Sequence, residues 1–102
     1  MSSPEHPREV NLSPRARQDF IDILRYTGER WGPQQLTAYQ DKISDALASI
    51  GRNPELGHMR DDLPTTHRAY LVGSHIIIYR DRAAAIGIVR ILHQRMSLTR
   101  RV

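Results

Sequence analysis

Apolar residues recur at three- and four-residue steps in two runs of the first half of the chain. The first run follows Ser13-Pro14, a pair suited to a helix N-cap and first helical position, and it stops at Gly32-Pro33. Its members are Ala16, Phe20, Ile23, Leu24, Thr27 and Trp31. The second run ends before Gly51, and its members are Leu36, Tyr39, Ile43, Ala46, Leu47 and Ile50. The two stripes predict amphipathic helices that form an antiparallel hairpin.

Strand patterns flank these helices. The segment R-E-V-N-L alternates polar and apolar residues before the first helix, and from His67 onward the chain is rich in strand formers. The later segments are H-R-A-Y-L-V, H-I-I-I-Y-R and A-I-G-I-V-R-I-L-H. Residues 51–66 have no period and contain two prolines and two glycines, so we expect a long loop. The order is βααβββ, an α+β domain with the helical hairpin packed on a small, mainly antiparallel, twisted sheet.

Both faces of the predicted sheet are apolar. Ile76 and Ile78 point to one face, whereas Ile77 and Tyr79 point to the other. Central strands can be apolar on both sides for packing reasons alone. Two helices cover only one face, however, so we expect the other to be covered by the C-terminal tail, a second copy or a different protein.

Charge is distributed unevenly along the 102 residues. Residues 67–102 carry seven basic residues and one acidic residue, whereas residues 1–66 carry eight basic and ten acidic ones. The second part therefore suits an anionic partner, either nucleic acid or an acidic polypeptide. The chain has no cysteine, which excludes disulfides and thiolate zinc sites. It also has no apolar run long enough for a membrane span or a signal peptide, so we expect no membrane partner.

Five segments, in order, resemble the ParE branch of the RelE/ParE toxin superfamily. They are L-S-P-R-A (12–16), Y-T-G-E-R-W-G (26–32), N-P-E-L-G (53–57), R-A-Y-L-V-G-S-H-I-I-I-Y-R (68–80) and V-R-I-L-H-Q-R-M (89–96). The resemblance implies a RelE/ParE-like fold, a cytoplasmic toxin of a type II toxin–antitoxin module, and an antitoxin encoded beside it. ParE-type members are associated with poisoning DNA gyrase, and RelE-type members with cutting mRNA in the ribosome. Residues 8–96 would form the toxin domain, between a flexible tail (1–7) and a basic tail (97–102).

An RNA-cutting site would need a general base, a general acid and cations around the phosphate. His93 is a candidate proton-transfer group, with Arg90 and Arg68 as candidate cations. RelE-like relatives typically place a tyrosine or a paired histidine after the last strand, and residues 96–102 contain neither. His67 and His75 could complete a pair, but strand-edge positions explain them more simply. The sequence therefore favours a protein inhibitor over an enzyme, with a metal-independent endoribonuclease as the alternative.

A binding surface makes fewer demands on the residues. The candidate target-binding residues are Arg80, Arg90, His93, Arg95, Met96, Arg100 and Arg101. The histidines are scattered, so we expect no metal site, and nothing indicates a cofactor. Neither helix has a uniformly basic face, which argues against direct, sequence-specific DNA binding. An inert homologue that only binds its antitoxin is a third possibility.

The antitoxin, expected to be ParD-like, would cover an apolar groove of the toxin with a segment that folds on binding. The candidate antitoxin-binding residues are Trp31, Tyr39, Leu71, Ile77 and Tyr79. Trp31 and Tyr39 could instead simply fill the helical hairpin. Oligomers formed through the antitoxin remain possible on this view.

Overall fold

The structure, a computed structural model, describes residues 7–96. Its elements are β1 (Glu9–Leu12), α1 (Pro14–Trp31), α2 (Pro33–Arg52), β2 (His67–Val72), β3 (His75–Asp81) and β4 (Ala85–His93). The predicted α+β class and βααβββ order are confirmed. The predicted basic tail, with Arg100 and Arg101, and most of the predicted N-terminal tail lie outside the described residues. Within the described part, no helix is both long and apolar enough to cross a membrane.

The helical hairpin starts and turns where the sequence predicts. The Ser13 hydroxyl caps α1 by accepting a hydrogen bond from the Ala16 amide at 3.0 Å. Gly32 alone separates the helices, with a φ of 93° that favours glycine. Gly51 was expected to end α2, but the helix continues to Arg52 and Gly51 is buried. A Cβ at this position would lie 3.0 Å from the Arg8 carbonyl oxygen. The glycine therefore permits close packing of α2 on the segment that enters β1.

The sheet has the order β1-β4-β3-β2. β2, β3 and β4 form an antiparallel meander, and β1 pairs with β4 in parallel. The prediction of a mainly antiparallel sheet is confirmed, with one parallel edge that the sequence pattern did not identify. A register shift between Ile78 and Tyr79 leaves Val89 of β4 without a partner on β3.

The two faces of the sheet are covered differently. The face toward the helices contains the larger core, where Ile77, Tyr79 and Ile91 pack against Ile43 and Ile50. The opposite face has a second, smaller cluster, whose members are Leu63, Ala69, Ile76, Ile78 and Leu92.

The smaller cluster is covered in part by the chain's own long loop. His58 pairs with Ala69 through backbone hydrogen bonds of 2.9 and 2.8 Å, and Leu63 of the same loop is buried in the cluster. The expectation that only a tail, a second copy or another protein could cover this face is therefore wrong at the β2 end. Toward β1 and β4 the same face stays open as a groove.

Candidate functional site: a histidine and aromatic cleft

A cleft of about 340 Å³ opens where the helical hairpin meets the β2–β3 turn and the end of β4. We call it the histidine cleft. It is lined by Tyr26, Thr27, Trp31, Gln35, Tyr39, Ser74, His75 and His93. The cleft thus joins the helices to the strand ends, and it combines exposed aromatic surface with groups that can transfer protons.

Tyr39 is fixed against the tight turn between β2 and β3. Its hydroxyl accepts a hydrogen bond from the Ser74 amide at 3.1 Å and lies 2.6 Å from Nδ1 of His75. Gly73 in this turn has a φ of 58°, and a Cβ there would meet the Tyr39 hydroxyl at 2.6 Å. Burial raises the pKa of Tyr39, although the Ser74 amide opposes this shift. The hydroxyl therefore stays protonated and can donate to His75.

His75 and His93 start β3 and end β4, where the register places them directly opposite each other. Their ring centroids are 5.3 Å apart in an edge-to-face arrangement. Burial, and then the neighbouring His93, lower the pKa of His75, so this imidazole is neutral at neutral pH. The Arg95 amide donates to Nδ1 of His93 at 3.1 Å, so Nδ1 acts as an acceptor and the ring N–H lies on Nε2.

The outer rim of the cleft is aromatic and exposed. Trp31 is 63% exposed and Tyr26 is 59% exposed. The Arg30 guanidinium lies 5.7 Å from the Trp31 ring and 6.0 Å from the Tyr26 ring. Large exposed aromatic side chains beside an arginine are typical of the residues that dominate binding energy in protein interfaces.

The candidate antitoxin-binding residues fall into two groups. Trp31 and Tyr39 line the cleft, and Leu71 is 58% exposed on the outer strand β2. Ile77 and Tyr79 are both 0% exposed, so the prediction that a partner contacts them is wrong for this structure. Both side chains lie on the sheet face that the two helices cover, whereas the partly uncovered face is the opposite one.

Tyr79 has a structural role instead. Its hydroxyl accepts a hydrogen bond from the Gly57 amide at 2.7 Å and donates to the Pro54 carbonyl at 2.8 Å. Burial is the main cause that raises the pKa of this tyrosine. These contacts tie the long loop to the core.

The candidate target-binding and catalytic arginines do not all lie on one surface: Arg80 and Arg90 line one groove, whereas Arg95 follows His93 near the histidine cleft. Arg90 donates to both Asp19 carboxylate oxygens at 2.8 and 2.9 Å, and the two side chains are only 12% and 14% exposed. Arg68 donates to the Gly57 carbonyl at 2.9 Å. Arg80 lines the groove on the opposite face of the sheet.

Other target-binding candidates remain near the cleft. Arg95 and Met96 are exposed immediately after His93, and the Met96 amide donates to the His93 carbonyl. His67 lies elsewhere, beside the Thr66 hydroxyl at 2.8 Å. Of the two histidines considered as companions for His93, only His75 comes close to it.

Sequence reasoning missed Tyr26, Gln35 and the role of Asp19. Trp31 was assigned to the buried stripe of α1, although it is the last residue of the helix and lies outside the core. Tyr26 precedes Trp31 by five residues and is not a member of the apolar stripe of α1, so its position off the stripe was the available clue that an aromatic side chain faces away from the core. Within residues 7–96, no group of three or more histidine, cysteine or acidic side chains is placed to hold a metal ion.

Comparison with known proteins gives one consistent result. A family profile described as "ParE toxin of type II toxin-antitoxin system, parDE" matches residues 10–98. Toxin ParE1 of Caulobacter vibrioides is 34% identical over 90 residues, which cover 88% of this chain and 93% of that protein.

Two solved structures share the fold. A chain of the chromosomal ParDE toxin–antitoxin system from P. aeruginosa superposes with a TM-score of 0.74 at 16% identity, covering 87% of this chain and 98% of that one. The YoeB dimer from Staphylococcus aureus gives a TM-score of 0.64 at 19% identity, covering 87% and 99%.

Proposed function

Because the chain belongs to the ParE toxin family of type II toxin–antitoxin systems, we propose that it inhibits DNA gyrase by binding and that a cognate ParD-like antitoxin neutralises it. The histidine cleft would be the centre of the surface that binds gyrase. A cytoplasmic location fits this function and stays a prediction.

The observation that carries the target-binding proposal is the exposed rim of the cleft. Trp31 and Tyr26 are more than half exposed, and Met96 is 42% exposed just beyond His93. Together with Arg95 they offer aromatic, apolar and cationic contacts at one end of the molecule. Such a set can hold a protein partner without any chemical step.

The same surface supports the antitoxin proposal. Trp31 and Tyr39 come from the antitoxin-binding prediction and His93 from the target-binding prediction, yet all three line one cleft. An antitoxin segment that covers Trp31 and continues to the exposed Leu71 would exclude the target sterically. Neutralisation then needs no change in the toxin's fold.

The gyrase proposal is tested by a supercoiling assay with purified gyrase and antitoxin-free toxin. We expect inhibition by the wild-type chain, and a Trp31→Ala/Tyr26→Ala variant that needs roughly 30-fold more protein, corresponding to about 2 kcal/mol of lost hot-spot contact. Ile21→Ala is the matched control, because Ile21 is an exposed apolar residue of α1 that does not line the cleft. Full gyrase activity with excess wild-type toxin would remove gyrase as the target.

The antitoxin proposal is tested by co-expressing the neighbouring reading frame and measuring binding by calorimetry. Trp31→Ala and Leu71→Ala should each weaken binding at least tenfold, as expected for exposed anchors. Tyr39→Phe removes only the hydroxyl and should act mainly on the turn. Equal affinity of wild type and Trp31→Ala would place the antitoxin elsewhere.

A second candidate, a ribosome-dependent mRNA endonuclease of RelE type, gains support from one contact. His75 supplies the companion that His93 lacked in the sequence, with rings 5.3 Å apart and Tyr39 behind. Such a pair could take a proton from a 2′-hydroxyl and return one to the leaving oxygen. The cations are less favourable, because the Asp19 carboxylate already neutralises Arg90.

Primer extension on mRNA from induced cells separates these candidates. If the chain is a nuclease, we expect codon-linked cleavage of mRNA that both His93→Ala and His75→Ala abolish, while both variants bind the antitoxin as the wild type does. Gyrase inhibition should instead survive His75→Ala at reduced strength. Unimpaired growth on expression of the wild-type chain would indicate an inert antitoxin-binding homologue.

A further inference from the structure

A second concave surface lies on the sheet face opposite the helices. It has a volume of about 540 Å³ and runs over β1, β4 and β3 beside the start of α1. We call it the arginine groove, because Arg15, Arg80, Arg82 and Arg90 line it together with Asn11, Leu12, Ser13, Pro14, Ala85, Gly87, Ile88 and Val89. None of these lining residues is acidic.

Only one of the four arginines in this groove is paired with an acidic side chain among residues 7–96. Arg90 is bound to Asp19 at the edge of β4, so its charge is largely neutralised. Arg15 and Arg82 are exposed and Arg80 is half-buried, and within residues 7–96 none of the three forms an ion pair with an acidic side chain. The first turn of α1, which borders the groove, also contains no acidic residue, so the positive end of the helix dipole adds to the local potential.

The residues that line the groove include no large exposed apolar side chain and no aromatic one, which makes a peptide or a single-stranded nucleic acid a poor fit. The large exposed apolar residues of the described chain lie elsewhere, and Ile88 in the floor is only 1% exposed. An acidic peptide would therefore meet the partly exposed side chains of Leu12 and Val89 and the exposed Pro14, but no large exposed apolar residue that could serve as an anchor. No aromatic side chain lines the groove, so unpaired bases would find no stacking platform.

We propose that the arginine groove binds the phosphodiester backbone of duplex DNA without reading its sequence. Arginine's planar fork suits phosphate oxygens, and the Arg82 side chain lies over Gly87 in the groove, where a Cβ would come to 3.4 Å from its Cδ. The proposal goes beyond gyrase inhibition and does not depend on it. It is consistent with helices that have no base-reading face.

The proposal is tested by fluorescence anisotropy with a labelled duplex of arbitrary sequence, roughly two helical turns long. Binding is measured between about 50 and 200 mM salt, the range over which phosphate contacts show their salt dependence. Three phosphate contacts give a slope of log affinity against log salt of about −2.7. The Arg15→Gln/Arg80→Gln/Arg82→Gln variant should lose most of this slope and bind at least about tenfold more weakly at the lower salt.

The control removes the same charge from the other side of the molecule. Arg25, Lys42 and Arg52 are exposed on the helices, which cover the opposite face of the sheet. Their combined change to glutamine should alter DNA affinity no more than about twofold, because these charges are not in contact with phosphate. Equal losses in the two variants would overturn the proposal, because only net charge would then matter.

Two further probes separate other partners. If the protein bound poly-uridine RNA or a polyglutamate peptide more tightly than it binds the duplex, the assignment to duplex DNA would be overturned in favour of that ligand. If the triple variant does not fold by circular dichroism, Arg82→Gln alone should reduce the slope by about 0.9 and Arg82→Lys should keep it. An unchanged slope in Arg82→Gln would contradict the proposal. The assay contains neither gyrase nor antitoxin, so it succeeds or fails independently of the proposed target.

Discussion

Arg90 and His93 lie three residues apart on β4, yet their side chains end in regions of opposite character. Arg90 reaches Asp19 of α1 and is nearly buried, and the same carboxylate accepts a hydrogen bond from the Ile91 amide at 3.0 Å. His93 ends in a cleft whose rim is exposed. One contact closes the sheet edge, whereas the other region remains available to a partner.

The difference shows which polar side chains are needed to satisfy the hydrogen bonds of the fold itself. β1 stops at Leu12, so the edge of β4 beyond Ile88 has no neighbouring strand. Ser13 and Asp19 take over its hydrogen bonds, with the Ser13 hydroxyl donating to the Val89 carbonyl at 2.9 Å. In the described part of the chain, the exposed side chains of Trp31 and Tyr26 at the rim of the cleft form no hydrogen bond with the sheet, so changes there should affect binding more than folding.

Asp19→Ala should have the largest effect on stability. It leaves the Arg90 charge without its partner and removes the acceptor of the Ile91 amide. We expect a loss of about 3 kcal/mol in the free energy of unfolding, measured with urea. The control Asp22→Ala removes an exposed acid whose closest contact to Arg25 is 3.7 Å, and it should cost less than about 1 kcal/mol. A similar cost for both variants would show that the Arg90 contact is not special.

Tyr79→Phe should come next. The change leaves the Gly57 amide and the Pro54 carbonyl without their partner, so we expect a loss of about 2 kcal/mol and faster proteolysis of residues 53–66. Tyr26→Phe, at an exposed ring, should be close to neutral. Stable Tyr79→Phe with an unchanged proteolysis rate would contradict the assigned role.

The pH dependence of stability should show a smaller effect from the cleft. The pKa values of His75 and His67 are lowered in the folded protein, mainly by burial, so the unfolded chain binds more protons below about pH 6.5. Stability should therefore be complete above that pH and decrease as the pH falls. His75→Gln should flatten the decrease but not remove it, because His67 remains. Urea unfolding between pH 5 and pH 8, a range chosen to span the ordinary histidine pKa, would measure both slopes; identical slopes would contradict the prediction.

Trp31→Ala should have the smallest effect on folding. The indole is mostly exposed, so its removal should change the free energy of unfolding by less than about 0.5 kcal/mol. Thermal and urea unfolding of the variant would measure this. A loss above about 1.5 kcal/mol would mean that Trp31 belongs to the core and would remove the distinction between the two regions.

The elements were predictable because their signals are local. The Ser13 cap, the Gly32-Pro33 break and the change to strand formers at His67 each depend on a few neighbouring residues, and the observed bounds of α1, β2 and β3 follow them. The end of α2 was less predictable. Gly51 suits a helix end by its own properties, but it lies in the last turn of α2, where its carbonyl accepts a hydrogen bond at 3.0 Å from the amide of Arg8, a residue distant in sequence.

The candidate site was predictable only in its parts. His93, Trp31 and Tyr39 were identified separately, and nothing local places them in one cleft with His75. Likewise, the exclusion of Ile77 and Tyr79 from any contact surface depends on which sheet face the helices cover. The alternation of side chains along a strand indicates that the sheet has two faces, but it does not indicate which face the helices bury.

The sequence alone determined the order and most bounds of the helices and strands, the α+β class, the basic second part of the chain and the resemblance to the ParE branch, because composition, period and motif order are properties of the chain itself. Only the tertiary structure decided the pairing of Arg90 with Asp19, the meeting of His75 with His93, and the separation of the histidine cleft from the arginine groove. The physical reason is distance along the chain: Asp19 and Arg90 are 71 residues apart. Contacts of that separation are selected by packing of the whole fold.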